Sequence, residues 1–199
     1  MSKSSDVYVF SGIIRDFFIE SKATSPRDLD IVIGNGKRES IPIDYLRKVK
    51  YTTNQFGGVK LQDMDKVVDV WQLKDTWGIK RKNSEATPEE LINTAFFNFS
   101  AVAFDYGKEK FIVSEAFANF LKNKILDIVY EDNPLPDLCI VNSLYYSQKL
   151  KCRISERLAS WILSHYEKDQ DFSSVQIRHF GRVVYSNLEI RKFVSKLNS

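Results

Sequence analysis

The sequence predicts an α+β fold, a mixed and largely antiparallel sheet flanked by helices and followed by a small helical region. Three observations carry this expectation. The front of the chain alternates strand-like and helix-like segments, the middle is a series of short extended runs separated by turn residues, and the end is apolar at helical spacing. The chain has 199 residues, 43% hydrophobic and 13% aromatic, enough apolar material for one sizeable core, or for a main domain with a small appendage. A charged fraction of 28%, with only 5 prolines and 8 glycines, excludes a disordered or fibrous chain.

Val7–Phe10 reads as a short buried strand that Ser11-Gly12 breaks. Ile13 to Ser21 then sets Ile13, Ile14, Phe17 and Phe18 at helical spacing. Lys22–Arg27 is a polar loop containing Pro26, and Asp28–Ile33 alternates acidic and apolar residues up to Gly34-Asn35-Gly36, the pattern of a strand. Pro42 opens a helix running to about Val49. Tyr51–Asn54, Val59–Gln62 and Lys66–Leu73, with Gly57-Gly58 as a turn, predict paired strands at a hairpin-rich sheet edge. Thr87-Pro88-Glu89-Glu90 starts a further helix, with Thr87 as cap and Glu90 as the acid of a capping box.

After the apolar run Phe96–Phe104, Asp105-Tyr106-Gly107 turns the chain into a strand at Lys110–Val113, and Ser114–Asn123 is helical. Leu135–Leu150, Ser155–Tyr166 and Leu188–Leu197 read as helices. The change of character near Glu131–Pro134 divides the chain into a front part, residues 1–130, and a helical part, residues 131–199.

Several function classes drop out. The apolar stretch Val7–Ile14 runs straight into Arg15-Asp16, so it is neither a signal peptide nor a membrane span, and no membrane partner is expected. Cys139 and Cys152 lack ligand-like spacing, which makes a reduced, cytoplasmic protein the default. His165 and His179 are too few and too scattered for a zinc site, and no Ser/His hydrolase pattern supports them. From Lys149 to the end there are 10 basic and 5 acidic residues, against 19 basic and 21 acidic before it. A basic tail behind an acidic front suits a polyanion-binding appendage, or else a solvated helical face.

The residues with chemistry lie near the start. Residues two apart on a strand face the same way, so Asp28 and Asp30 project together and can share divalent cations. Hard Mg²⁺ prefers oxygen ligands, and two such ions clamp both oxygens of an in-line displacement at phosphorus. Upstream, Gly12 lets the backbone approach a phosphate, the following helix aims free N–H groups at it, and Arg15 adds charge-assisted hydrogen bonds. Ser11 contributes a hydroxyl, and Asp16 orients Arg15 or another basic neighbour. A third carboxylate is wanted on a neighbouring strand. Asp69, the single acid in Val67–Leu73, supplies it, ahead of Asp63 and Asp65.

Taken singly, an acid-apolar-acid strand is an exposed edge and a Ser-Gly pair is a turn; their joint occurrence in this order is what points to metal and phosphate. Lys60 reaches a phosphate or belongs to a plain hairpin, while Trp71, Trp77 and the Phe96–Phe104 run are expected in the core.

The stretch YVFSGIIRDFFIESKATSPRDLDIV, Tyr8 through Val32, resembles the opening of the head domain of tRNA nucleotidyltransferases and bacterial poly(A) polymerases, in the DNA polymerase β superfamily. That family shows a strand, a GG or GS turn, an Arg-Asp pair one turn later and an Asp-x-Asp strand. The resemblance implies a nucleotidyltransferase-like sheet with a neck-like helical region behind it. It also implies Asp28 and Asp30 as metal ligands with Asp69 as third acid, Ser11, Gly12 and Arg15 at the nucleotide, and a two-metal Mg²⁺ site.

Further on, Asn98–Asp105 stands in for the family's RDFTxNALAYD segment without its leading Arg-Asp, with Ser100 in place of the Asn. Asp137–Asn142 falls where the family reads the base with an EDxxR pattern, here with no arginine, so strict base selection is not implied; Asn142 or Asp137 is left to contact a base, or else the stretch is an ordinary helix surface.

The expected activity is Mg²⁺-dependent transfer of a nucleoside monophosphate from an NTP to an acceptor hydroxyl, releasing pyrophosphate. The expected acceptor is an RNA 3′ end, tRNA-like or other, with a protein or small molecule as the alternatives. A nucleotide-binding or regulatory module that keeps the fold without turnover, and a toxin-like transferase modifying tRNA or protein, are the rival readings.

Overall fold

The computed structural model describes residues 6–20, 28–34, 50–53, 57–63 and 66–198. The loop expected at 22–27, the helix expected from Pro42 and the acid Asp65 lie outside those residues. Seven strands form one sheet: β1 (Val7–Phe10), β2 (Asp28–Ile33), β3 (Lys50–Thr53), β4 (Val59–Asp63), β5 (Lys66–Gln72), β6 (Val102–Asp105) and β7 (Lys110–Val113). Their spatial order is β3-β4-β5-β2-β1-β6-β7. β2 and β5 run parallel, and the other described neighbours run antiparallel. The fold is therefore mixed α+β, and the parallel pair of the seven-stranded sheet lies at its centre.

The hairpins explain the antiparallel parts. β4 turns into β5 across the pair Asp63↔Lys66, and β6 into β7 across Asp105↔Lys110. Asp105 is only 3% exposed, yet its carboxylate accepts from both the amide and the ammonium of Lys108, each at 3.0 Å. It is a satisfied turn acid.

Both faces of the sheet are covered, as a sheet with apolar residues on each side requires. On one face, Ile14 and Phe18 of α1 (Gly12–Glu20) and Phe117 of α4 (Glu115–Asn123) meet Val9, Val102 and Phe104. On the other, Ile79 of α2 (Trp77–Lys82) and Leu91 of α3 (Pro88–Asn93) pack with Tyr8, Val32 and Leu73. Thr87 caps α3 as expected, accepting from the Glu90 amide at 3.1 Å, but the Glu90 carboxylate goes to Lys82 instead of closing a capping box. A full capping box forms at Ser186 and Glu189 instead.

Behind the sheet stand α5 (Pro136–Lys149), α6 (Glu156–His165), α7 (Ser173–Phe180) and α8 (Asn187–Leu197), with a short parallel pair, β8 (Ile125–Leu126) and β9 (Arg153–Ile154). Helix α7 is not among the elements the sequence suggested. The apolar run Phe96–Phe104 is divided between two cores: Phe96, Phe97 and Phe99 join Ile140, Leu158, Ile162 and Ile190 of the helices, whereas the residues from Val102 onward enter the sheet as β6. Among the described residues, no helix is long and apolar enough to cross a membrane.

Asn98 ties these layers together. It is 5% exposed; its Nδ2 donates to the Ile125 carbonyl at 2.9 Å, its Oδ1 accepts from the Asp127 amide at 3.1 Å, and its own amide donates to the Asp127 carbonyl at 2.9 Å. Asp127 in turn accepts from the Ser155 hydroxyl at 2.5 Å, and Ser155 caps α6. Asn98→Ala strands a buried carbonyl and a buried amide, and we expect it to cost about 2–4 kcal/mol. For a chain of this size that is a fall of roughly 5–15 °C in melting temperature, read by thermal denaturation.

Candidate active site

The parallel pairing of β2 with β5 builds the centre of the site. Its register sets Asp30 directly beside Asp69, with Asp28 two residues along on the same face. The antiparallel register of β1 puts Phe10 on the other side of Asp30, so the Ser11-Gly12 turn begins next to the carboxylates. All six residues singled out in the sequence, Ser11, Gly12, Arg15, Asp28, Asp30 and Asp69, line one cleft of about 980 Å³. Lys60 lines it as well. It stands in register opposite Asp69 across β4 and β5, its Nζ 3.5 Å from Asp69 Oδ2.

The electrostatics follow from three acids placed together. Burial, with Asp69 and Asp28 nearby, pushes the Asp30 carboxyl up to about 7, against the opposing pull of Lys60 and Arg15. Burial also raises Asp69, although Lys60 draws it back. The donor set is all carboxylate oxygen, which suits a hard divalent cation. Among the described residues no three acids, histidines or cysteines stand close enough to form a preassembled metal cage. Mg²⁺ does not require one, because it takes one or two carboxylates and completes its shell with water and phosphate.

The turn has its own strain. Ser11 sits at φ 54°, in the left-handed region that favours glycine, with its amide fixed to the Val102 carbonyl at 3.0 Å. The conformational demand thus falls on Ser11 and not on Gly12. A Cβ on Gly12 would meet nothing within 4 Å. That bare surface opens onto the cleft where the first-turn amides of α1 lack intrahelical partners.

Arg15 is held from several directions. Its side chain is 8% exposed, its Nε donates to Asp16 Oδ1 at 2.7 Å, and its guanidinium lies 5.1 Å from the Phe99 ring centre and 4.9 Å from that of Tyr146. Asp16 therefore acts as the orienting partner of Arg15, while the cation also covers the aromatic wall of the cleft.

Helix α5 forms that wall, with Asn142, Tyr145, Tyr146 and Lys149 on the cleft side. Of the two residues left open for contact with a base, Asp137 is engaged elsewhere, accepting from Gln170 Nε2 at 2.6 Å. Asn142 remains, its Oδ1 buried at the cleft without a hydrogen-bond partner among the described residues.

Sequence reasoning missed the far rim, made by Arg178, His179, Phe180 and Gly181 at the end of α7. A buried amide fixes it. Gln176 is fully buried, accepts from the Val184 and Tyr185 amides at 3.0 and 2.8 Å, and donates to the Tyr185 carbonyl at 2.9 Å. The signal available in the sequence was Gly181, which ends α7 at φ 73°.

The aromatic expectations need correction in part. Phe97 and Phe99 are core residues as expected, 6% and 1% exposed, but Trp71 and Trp77 are only half-buried and border a second hollow beside the cleft.

No protein-family model matches the chain, and no curated protein matches it. Solved structures do. A CCA-adding enzyme in its apo form is 15% identical with a TM-score of 0.66, over 98% of this chain and 47% of that one. A CCA-adding enzyme in complex with CTP is 16% identical with a TM-score of 0.67, over 98% and 48%. A tRNA nucleotidyltransferase complexed with a primer tRNA and an incoming ATP analog is 17% identical with a TM-score of 0.65, over 98% and 58%. The chain spans about half the length of these structures. Nearly its whole length carries the fold of a tRNA nucleotidyltransferase head with the helices behind it.

Proposed function

We propose that this chain is a Mg²⁺-dependent nucleotidyltransferase that moves a nucleoside monophosphate from an NTP to the 3′-hydroxyl of an RNA. The observation that carries the proposal is the in-register pair Asp30 and Asp69, with Asp28 on the same face, in one cleft with the Ser11-Gly12 turn. The fold shared with CCA-adding enzymes solved with CTP and with ATP supports a nucleotide as donor.

In this reading Asp28, Asp30 and Asp69 hold Mg²⁺, which when bound supplies charge neutralisation at the reacting phosphate. The chain's own groups do the rest. Gly12 and the first amides of α1 take the triphosphate, and Arg15, locked by Asp16, adds a fixed positive charge. Lys60 pairs with Asp69 and lies within the same cleft, a cation for the departing phosphates. Asn142 offers an amide to a base in the cleft beside Tyr145. One amide cannot impose the donor-acceptor array that arginine and aspartate provide, so discrimination among bases is weak. The acceptor oxygen bonds to the α-phosphorus as the bond to the bridging oxygen breaks; pyrophosphate leaves with the electron pair and the hydroxyl proton is lost to water.

A non-catalytic nucleotide binder has no use for three acids gathered against their own repulsion, which favours the enzyme over that alternative. The test is transfer of label from each α-labelled NTP to a total RNA and protein extract with Mg²⁺. Asp28→Asn and Asp30→Asn are expected to lower transfer by about 100-fold or more while leaving the fold intact; unchanged transfer sinks the proposal. Label on protein alone removes RNA as acceptor.

Gly12→Ala separates binding from folding. Its methyl group enters open space in the free protein and replaces a helix glycine, so thermal stability should hold or rise by about 0.5–1 kcal/mol. Nucleotide affinity, measured by calorimetry, should fall about tenfold or more.

The Asp30 carboxyl yields a pH prediction. Its folded value of about 7 lies above its unfolded value, so between pH 4 and 7 the folded state binds the extra proton. Its contribution to stability therefore falls as pH rises through that window, and above it the penalty is complete. Without divalent cations, Asp30→Asn should melt above the wild type at pH 8, with the gap closing towards pH 5.

A further inference from the structure

Two hollows meet at the carboxylates. The first, described above, runs from Asp30 and Asp69 towards the Ser11-Gly12 turn and α5. The second, about 610 Å³, shares Asp30, Lys60, Asp69 and Arg178 with it but extends the other way, past β5 to Gly58, Thr76 and Leu135. Two indoles line it, Trp71 and Trp77.

Trp71 lies two residues beyond Asp69 on the same strand face. Its Nε1 donates to the Thr76 hydroxyl at 3.0 Å and its ring meets Phe10 edge-on at 6.2 Å, so its polar atom is satisfied and its orientation fixed. Trp77 opens α2, its ring tilted by 50° at 6.4 Å from Tyr130. Asp75 at the same mouth is neutralised by Lys80 at 2.7 Å, which leaves Arg178 as a cation at the seam between the hollows.

An in-line displacement needs its two partners on opposite sides of the reacting phosphorus, and from the shared carboxylates the first hollow reaches Val67 at one end of β5 while the second reaches Trp71 at the other. The first has the anion-binding turn and suits the triphosphate. We propose that the second is the acceptor subsite, in which the terminal nucleoside of an RNA stacks on Trp77 and Trp71 and presents its 3′-hydroxyl to Asp30 and Asp69. This rests on the donor assignment under Proposed function. A stacked base uses indole faces whatever its identity, whereas a serine, threonine or tyrosine acceptor has no need of two such plates. The excess of basic residues from Lys149 onward, with Arg178 at the seam, matches the charge of an RNA.

The test measures donor and acceptor separately on the full chain. Donor binding is read with a fluorescent ATP analogue, and acceptor binding by anisotropy of a short, 5′-labelled, single-stranded RNA of mixed sequence. Trp77→Leu keeps apolar volume without the ring, and Trp77→Phe keeps a ring. The leucine variant is expected to weaken RNA binding by about tenfold or more and to leave ATP analogue binding within about twofold, with the phenylalanine variant close to wild type.

RNA binding unchanged by the leucine variant overturns the inference, as does an equal loss of both ligands. If the leucine variant fails to fold, indole emission of the wild type decides: saturable quenching by the RNA is expected, and unchanged emission overturns the proposal. A wild type that binds the ATP analogue but not RNA refutes the acceptor subsite while the donor reading stands; a wild type that binds neither refutes both.

Discussion

The structure depends on the pairing of β2 with β5. Parallel strands set residues of equal register side by side, and this register puts Asp30 against Asp69. A slip of one residue would carry Asp28 and Asp30 to the opposite face, where α1 and α4 pack. The face they occupy is closed over Tyr8 and Val32 by α2 and α3 but open at its other end, and that opening is the cleft. Burying Asp30 beside two other acids opposes folding, as its raised carboxyl shows, burial first and repulsion second, and Lys60 on the adjoining strand offsets part of that repulsion. An arrangement that weakens the free protein is characteristic of a binding site.

A second constraint comes from β1. Its antiparallel register beside β2 delivers the chain to Ser11 next to Asp30, and the left-handed turn there launches α1. Strain sits at Ser11, open space at Gly12, and a pinned cation at Arg15. The three are close in sequence yet play distinct parts: one turns the chain, one leaves room, and one supplies charge.

Much of this was legible in the sequence because it is local. A strand's period of two puts Asp28 and Asp30 on one face, and a lone acid in an apolar strand marks Asp69. Asp16 as the partner of Arg15 also follows from adjacency. Register was not legible, since pairing is a tertiary choice that strand patterns alone do not specify. Helix α7 escaped notice because its most buried position is Gln176, a polar residue whose four hydrogen bonds appear only once the chain is folded. Arg178 and the rim went with it. The tryptophans were assigned to the core by type, yet half-buried rings at a cleft edge have the same composition as core rings. Between Asp137 and Asn142 the sequence offered no choice; a bond to Gln170 removes the first, and an unsatisfied Oδ1 leaves the second.

The central claim is that Asp30 and Asp69 are held together to take a cation with a nucleotide. Mn²⁺, read by its paramagnetic signal as it binds in the presence of ATP, tests this without any acceptor. The account predicts saturable binding by the wild type and its loss in both Asp30→Asn and Asp69→Asn, with each variant still folded. Undiminished Mn²⁺ binding by either variant would contradict it.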